Sequence, residues 1–167
     1  WIDLYQIHRP QSGIPIDETL RALDDLIKAG KVRYIGTSLF SAWQIVESLW
    51  VSKEYGLNRF VCEQPPYHLL DRSIERELVP MAQTYGTGLI TWSPLAKGFL
   101  SGKYRRGEKL PEGGRFKQEG NETAKHMTGP AFDILDAVEA LSREKGCNSS
   151  QFSVAWIMSQ PGITCPI

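Results

Sequence analysis

The sequence predicts an α/β fold in which short parallel strands alternate with amphipathic helices. A strand-like run, a helical stretch and a closing glycine recur along the chain. The strand-like runs begin near residues 2, 32, 59 and 88, about one strand and one crossover helix apart. No G-x-G-x-x-G pattern follows any of them. Together these features favour a partial (β/α)8 barrel over an open, doubly wound sheet, which is the alternative.

The first two strand-helix units have clear boundaries. Ile2–Ile7 has the composition of a strand, and it precedes a predicted helix over residues 17–29 whose leucines recur at helical spacing. Val32–Ile35 is the next predicted strand. Ser41 opens the helix that follows, because Ser41 and Gln44 have the spacing of a capping box. We therefore expect two strand-helix units in the first third of the chain.

The next two units bring an expected bend and a long loop. Arg59–Cys62 is the third predicted strand, and a helix is predicted over residues 71–85. Pro80 removes a backbone donor inside that helix, so we expect a bend there. Gly88–Trp92 is the fourth strand. The segment 93–129 that follows is rich in glycine and basic residues and too long for a simple turn, which predicts a functional or mobile loop.

The last part of the chain predicts two helices and the beginning of a fifth strand. Pro130 suits the first turn of a helix that ends near Gly146, a second helix covers about 150–160, and Ile163–Ile167 is strand-like. The chain 1–167 is thus predicted to form one partial domain. Because it starts at Trp1 rather than Met and ends on an apolar run, we expect it to be a portion of a longer barrel.

Composition excludes several classes of protein. The 167 residues carry 19 basic and 19 acidic side chains, so no net charge attracts the chain to nucleic acid or to an anionic membrane. Its apolar stretches are far shorter than the ~20 residues that cross a bilayer. Cys62, Cys147 and Cys165 lack a C-x-x-C pattern, which argues against a disulfide framework and a zinc site. Reduced thiols in a cytoplasmic compartment are the expectation.

Polar residues at the strand ends are the candidates for chemistry, since reactive groups of a (β/α)8 barrel lie at the carboxyl ends of its strands. Gln6 and His8 share one face of the first strand, and Tyr5 lies on the other. Taken alone, His8 is more typical of a structural histidine, and Gln64 and Trp92 are as typical of structural residues as of ligands. No metal-binding or nucleophilic-serine motif is present. The strand-end candidates are Gln6, His8, Thr37, Ser38, Gln64, Trp92 and Ser93.

Four basic residues in the 93–129 segment lie beside glycines. This pattern is typical both of a loop that wraps phosphate and of a solvated surface, and both interpretations stay open. The four residues are Lys97, Lys103, Arg105 and Arg106.

Four strings of residues together resemble the aldo-keto reductase superfamily. They are D-L-Y-Q-I-H-R-P at 3–10, G-T-S at 36–38, E-Q-P-P-Y-H at 63–68 and W-S-P-L-A-K-G-F-L-S-G-K-Y at 92–104. The last string is closest to the branch with bacterial reductases and potassium-channel β subunits. The resemblance covers essentially the whole chain. It implies a (β/α)8 barrel, here represented by about strands four to eight, that binds NADPH and reduces aldehydes or ketones by hydride transfer.

The resemblance also implies roles for individual residues. His8 matches the active-site histidine that orients and polarises the substrate carbonyl. Ser38 and Gln64 match the pair that hydrogen-bonds the nicotinamide carboxamide, and Trp92 matches the aromatic ring that stacks on the nicotinamide. The residues that match the loop over the pyrophosphate are Ser93, Leu95, Gly98 and Lys103.

The sequence departs from the family pattern in ways that bear on activity. The family's proton-donor tyrosine and its lysine and aspartate partners belong to strands earlier than those found here, so we expect no turnover by this chain alone. Leu39 stands where many relatives have Asn or Arg. Open sheet edges favour self-association or complementation by the missing barrel half. A regulatory or interaction subunit like the channel β subunits, and a half-barrel oligomer without catalysis, are the alternatives.

Overall fold

Strands and helices alternate along the chain as the sequence repeat predicts. The computed structural model describes residues 1–112, 114 and 128–167. In chain order the elements are β1 (Ile2–Ile7), α1 (Ile16–Lys28), β2 (Val32–Ser38), α2 (Ala42–Tyr55), β3 (Phe60–Gln64), a 3-10 helix (Ser73–Glu75), α3 (Leu78–Tyr85), β4 (Gly88–Thr91), a second 3-10 helix (Ala96–Ser101), α4 (Gly129–Glu144), α5 (Ser149–Met158) and β5 (Cys165–Pro166).

The strands form one sheet in the order β1-β2-β3-β4-β5. The pairs β1/β2, β2/β3 and β3/β4 are parallel, as required for strands joined by helices. A doubly wound sheet reverses its strand order at a switch point, and this sheet has no reversal, so the alternative is wrong. The predicted α/β fold with strands of a partial (β/α)8 barrel is confirmed.

The chain divides into two compact units. The first comprises Trp1–Pro66, Ser73–Thr91 and Pro161–Cys165, and the second comprises Tyr67–Arg72, Trp92–Gln160 and Pro166–Ile167. Burial of apolar side chains between helices and strands stabilises the first unit. The core of the first unit includes Leu20, Leu23, Ile35, Ile45, Phe60 and Leu89. The core of the second includes Phe99, Leu100, Tyr104, Phe132, Leu135 and Val138.

Two helix boundaries agree with the sequence signals and one does not. Ser41 caps α2 in a capping box with Gln44, whose side chain accepts a hydrogen bond from Ser41 N at 2.9 Å. Gly56 closes the same helix in the left-handed conformation. The expected bend at Pro80 is wrong, because α3 begins at Leu78 and Pro80 lies in its first turn, where the missing N–H has no helical partner to lose.

The long segment after β4 is only partly a loop. It contains the 3-10 helix Ala96–Ser101, and Pro130 lies in the first turn of α4, as predicted. The rest of the predicted 93–129 loop includes residue 113 and residues 115–127, which lie outside the described residues. No helix in the described ranges is both long and apolar enough to cross a membrane.

Candidate functional site

The predicted site residues fall into two groups, one in each compact unit. We call Gln6, His8, Ser38 and Gln64 the strand-end cluster, since they lie at or directly after the carboxyl ends of β1, β2 and β3. We call residues 92–103 the Trp92 loop. It begins directly after β4 and contains the second 3-10 helix.

Ser38 and Gln64 are brought together by the sheet register. They are the last residues of β2 and β3 and lie opposite each other in the parallel ladder. The Ser38 hydroxyl donates a hydrogen bond of 2.7 Å to the main-chain oxygen of Gln64. The Ser38 oxygen is thus left with lone pairs that can accept a hydrogen bond from a ligand. Ser38 and Gln64, which were predicted from separate motifs, therefore lie side by side at the ends of β2 and β3.

Gln6 extends the strand-end cluster to three strands. Its Oε1 accepts a hydrogen bond of 3.0 Å from Gln64 Nε2. Its Nε2 donates to the main-chain oxygen of Thr37 at 3.2 Å and to Cys62 Sγ at 3.9 Å. Sequence reasoning placed Gln6 on the same face as His8 and gave it no ligand-binding role. The signal for this placement was the alternation of side chains along β1, which puts Gln6 and His8 on one face of the strand.

His8 follows β1 directly, and its side chain is exposed to solvent. It makes no hydrogen bond or ion pair with other described residues. An exposed imidazole next to the polar ends of β2 and β3 can hydrogen-bond an incoming ligand without first breaking a protein contact.

Glu63 is a buried acid directly beside Gln64 that sequence reasoning did not single out. Its side chain is fully buried, and its Oε1 accepts a hydrogen bond of 3.1 Å from Phe40 N. Burial raises the pKa of Glu63 to about 7, although the hydrogen bond from Phe40 N opposes the shift. Leu39, between Ser38 and Phe40, has a φ of 59°, which is unfavourable for leucine. Glu63 therefore helps to hold the strained turn after Ser38.

The Trp92 loop lines a cavity of about 380 Å³ in the second unit. Four predicted cofactor residues line it: Trp92, Ser93, Leu95 and Gly98. Ser93, Ala96 and Lys97 all have positive φ, so the loop backbone is tightly coiled. The Ser93 side chain accepts a hydrogen bond of 3.2 Å from Lys97 N, and this contact stabilises the loop conformation.

The basic residues near the Trp92 loop differ in their surroundings. A Cβ atom on Gly98 would lie 3.5 Å from Lys103 Nζ, so the ammonium group lies directly against this glycine. Arg105 forms an ion pair with Glu139 of α4, and Arg106 contacts Asp133 and Asp136 of the same helix. The two arginines are thus engaged by carboxylates, which favours the surface interpretation for them.

The described residues offer no built site for a metal. No three His, Cys, Asp or Glu side chains in the described ranges cluster closely enough to hold an ion. The polar groups of the strand-end cluster are amides, a hydroxyl and an imidazole. Such groups bind an organic ligand through directional hydrogen bonds.

Known proteins resemble this chain over its full length. A probable voltage-gated potassium channel subunit beta of Oryza sativa subsp. japonica is 36% identical over 170 residues, which cover 100% of this chain and 52% of that protein. A putative aryl-alcohol dehydrogenase of Saccharomyces cerevisiae is 34% identical over 161 residues, which cover 95% of this chain and 46% of that protein. The chain therefore spans about half the length of the curated relatives it matches.

A solved structure and a family model agree with these relatives. The structure of a glycerol dehydrogenase from Gluconobacter oxydans matches with a TM-score of 0.78 and 30% identity, over 99% of this chain and 48% of that chain. The model described as "Aldo/keto reductase family" matches residues 1–167. The family resemblance of the four sequence strings is thereby confirmed, and the chain belongs to the aldo/keto reductase family.

Proposed function

We propose that this chain carries the cofactor-binding part of an NADPH-dependent oxidoreductase that reduces small aldehydes or ketones. The oxidoreductases among its relatives support the general role. The observation that carries the proposal is the pairing of Ser38 with Gln64 at the ends of β2 and β3. A polar pair fixed by backbone register is suited to hold a flat amide group in one orientation.

The hydrogen-bond directions at this pair suit a carboxamide. Ser38 donates its hydroxyl proton to the Gln64 main chain, and Gln64 uses Nε2 to donate to Gln6. Both side chains therefore keep acceptor oxygens for a ligand. The NH₂ group of a nicotinamide carboxamide carries two N–H donors, and we propose that Ser38 and Gln64 bind it.

The remaining predicted residues receive roles that follow the chemistry of the cofactor. When bound, the dihydronicotinamide supplies a hydride to the substrate carbonyl. We propose that Trp92 stacks on the nicotinamide and that His8 donates a hydrogen bond to the carbonyl oxygen, which gains negative charge as hydride arrives. The Trp92 loop would lie over the pyrophosphate, through Ser93, Leu95, Gly98 and Lys103.

We propose that the 167 residues alone do not turn over substrate. Protonation of the developing alkoxide needs a positioned acid, and His8 is the exposed titratable side chain that the strand-end cluster provides. The family resemblance assigns the proton donor to a tyrosine on an earlier strand. Tyr5 is 40% exposed and lies on the opposite face of β1 from His8, so it is not a substitute.

The exposed edge of the sheet is the surface on which we base a proposal of association. β1 is an edge strand, and Trp1 and Tyr34 near this edge are 80% and 59% exposed. Edge strands with exposed aromatic residues favour association. We propose self-association or complementation by the other barrel half, in a cytoplasmic compartment that keeps the free thiols of Cys62, Cys147 and Cys165 reduced. Sedimentation of a monomer of 18.8 kDa would contradict association.

A regulatory subunit is the second candidate function. The observation that favours it is the relative from rice that is named a probable channel subunit beta. A subunit of this type would bind NADPH with slight turnover, whereas a complete enzyme would reduce simple aldehydes over many turnovers and oxidise one NADPH in each of them. A half-barrel oligomer without catalysis would bind no dinucleotide.

Tryptophan fluorescence tests the proposed cofactor site. We expect NADPH to quench the emission of the chain saturably, and Trp92→Phe to remove most of that response, because stacking brings the two rings into contact. Trp50→Phe is the matched control, since Trp50 is 64% exposed on α2. NADH titrated in parallel reports the preference between the two cofactors. The absence of any saturable response to either dinucleotide would contradict the proposal.

A further inference from the structure

Gly36 leaves an opening in the sheet through which side chains of β1 and β3 meet. It lies opposite Gln6 on one side and Cys62 on the other. A Cβ atom on Gly36 would lie only 2.5 Å from Cys62 Sγ and 3.3 Å from Gln6 Cγ. The Gln6 side chain therefore crosses β2 over a residue without a side chain. This crossing allows β1 to contact the end of β3, two strands away.

The hydrogen bonds of Gln6 have a defined polarity. The main-chain oxygen of Thr37 is an acceptor only, so the Gln6 group that faces it at 3.2 Å must be the NH₂ group. Cys62 Sγ lies 3.9 Å from the same nitrogen. Gln6 Oε1 must then point the other way, toward Gln64. The orientation of the Gln6 amide is thus fixed by the main-chain oxygen of Thr37, which can only accept a hydrogen bond.

The oriented Gln6 amide in turn fixes the orientation of the Gln64 side-chain amide. Because Gln6 presents an acceptor, the Gln64 group that faces it at 3.0 Å must be Nε2. Gln64 Oε1 is left on the other side of the amide, and no described residue donates a hydrogen bond to it. A chain of three groups, from Thr37 through Gln6 to Gln64, therefore determines which end of the Gln64 amide is available.

We propose that Gln6 is a positioning residue that holds the Gln64 amide with Oε1 toward the ligand, so that the site selects a nicotinamide bearing a carboxamide N–H donor. This proposal rests on the proposed function for the identity of the ligand. A glutamine free to rotate presents its oxygen or its nitrogen with similar ease. It therefore accepts from a carboxamide or donates to a ketone without discrimination.

Side-chain amide NMR tests the positioning step without any cofactor. In the wild-type chain we expect the Gln64 NH₂ resonances to be shifted and slowed in exchange by the bond to Gln6. Gln6→Met keeps an unbranched side chain of similar length and removes the hydrogen bonds to Thr37, Cys62 and Gln64, so the Gln64 resonances should move to the values of a mobile glutamine. Unchanged Gln64 resonances in Gln6→Met would overturn the positioning role.

Two dinucleotides test the selectivity step. NADP⁺ carries the carboxamide, and its 3-acetylpyridine analogue carries a methyl ketone with no N–H. We expect Gln6→Met to weaken NADP⁺ binding roughly threefold to tenfold, the loss of one hydrogen bond, and to leave the binding of the analogue within about twofold. Tyr5→Phe, on the opposite face of β1, is the matched control and should keep the wild-type ratio of the two affinities.

The outcomes separate this inference from the proposed function. An equal loss of affinity for both dinucleotides in Gln6→Met would indicate a structural role only and would overturn the selectivity step. If the wild-type chain binds neither dinucleotide, the proposed function is wrong and the selectivity step falls with it. The NMR comparison decides independently whether Gln6 holds Gln64.

Discussion

The buried carboxyl of Glu63 makes the stability of the chain depend on pH near neutrality. Burial raises its pKa to about 7 in the folded chain, from an ordinary value of 4.5. A folded-state pKa that is raised favours the protonated acid. The stabilisation is therefore full below about pH 4.5 and is lost as the pH rises through about 7. A difference of about 2.5 pKa units corresponds to about 3 kcal/mol.

Glu63→Gln removes this titration while it keeps the local geometry. The amide oxygen of glutamine can accept the hydrogen bond from Phe40 N that Glu63 Oε1 accepts at 3.1 Å. Glu63 Oε2 has no hydrogen-bond partner among the described residues, so the amide NH₂ replaces an atom that is already unpaired. The variant thus imitates the protonated acid, and its stability should not respond to the ionisation of residue 63.

Urea unfolding followed by tryptophan fluorescence measures the effect. Between about pH 5 and about pH 9, the unfolding free energy of the wild-type chain should fall by roughly 2 to 3 kcal/mol relative to that of Glu63→Gln. Glu54→Gln, on the exposed face of α2, is the control and should give a profile parallel to that of the wild type. Unfolding free energies of the wild type and Glu63→Gln that change in parallel with pH would refute the reasoning. So would a difference between the two free energies that becomes smaller toward alkaline pH.

Three further outcomes are expected. Asp24 is buried and accepts a hydrogen bond of 3.0 Å from Asn58 N, so in urea unfolding near neutral pH Asp24→Asn should cost about 1 to 3 kcal/mol. The pKa of Asp24 is lowered to about 2, first by Lys28 and then by Asn58, so this stabilisation should fade as the pH falls toward 2. Gly36→Ala should lower the free energy of unfolding by about 1 to 3 kcal/mol through overpacking, because the new Cβ would lie 2.5 Å from Cys62 Sγ, and adding Cys62→Ala should recover part of this loss in urea unfolding. Gly98→Ala should weaken NADPH binding in a fluorescence titration, since Gly98 has a φ of 95° and an alanine there would distort the loop.

Much of the fold was predictable from local chemistry. Apolar periodicity and glycine caps identified the α-helices α1 to α5 of the described residues, and Ser41 with Gln44 located the start of α2 to the residue. The start of α3 was predicted too early. The expectation of a helix from residue 71 failed because the residues before Leu78 form only a short 3-10 helix, Ser73–Glu75. That choice depends on tertiary packing rather than on local propensity.

The candidate site was predictable only as positions along the chain. The strand-end rule selected Ser38 and Gln64, and the sheet register then showed that they lie side by side. The contact between Gln6 and Gln64 had no sequence signal, because it needs the β1/β2 and β2/β3 registers together with the missing side chain of Gly36. The burial of Glu63 also had no sequence signal, because a charged residue in a strand is usually exposed.

The pairing of the basic residues also lay beyond the sequence pattern. Arg105 and Arg106 resemble Lys103 in composition and in their neighbouring glycines. Their carboxylate partners lie about 30 residues further along the chain in α4, and no spacing rule connects them. The arginines and the lysine were therefore indistinguishable until the helix was placed.

The attachment of the segment around Arg105 to α4 combines two forces that respond differently to ionic strength. The Arg105 and Arg106 side chains are 49% and 50% exposed, so dissolved salt screens their attraction to the helix. The rings of Phe99 and Phe132, 5.2 Å apart at their centroids, are held by apolar contact that salt does not weaken. Concentrated electrolyte should thus loosen the arginine end of this segment first, while the aromatic end stays docked on the helix.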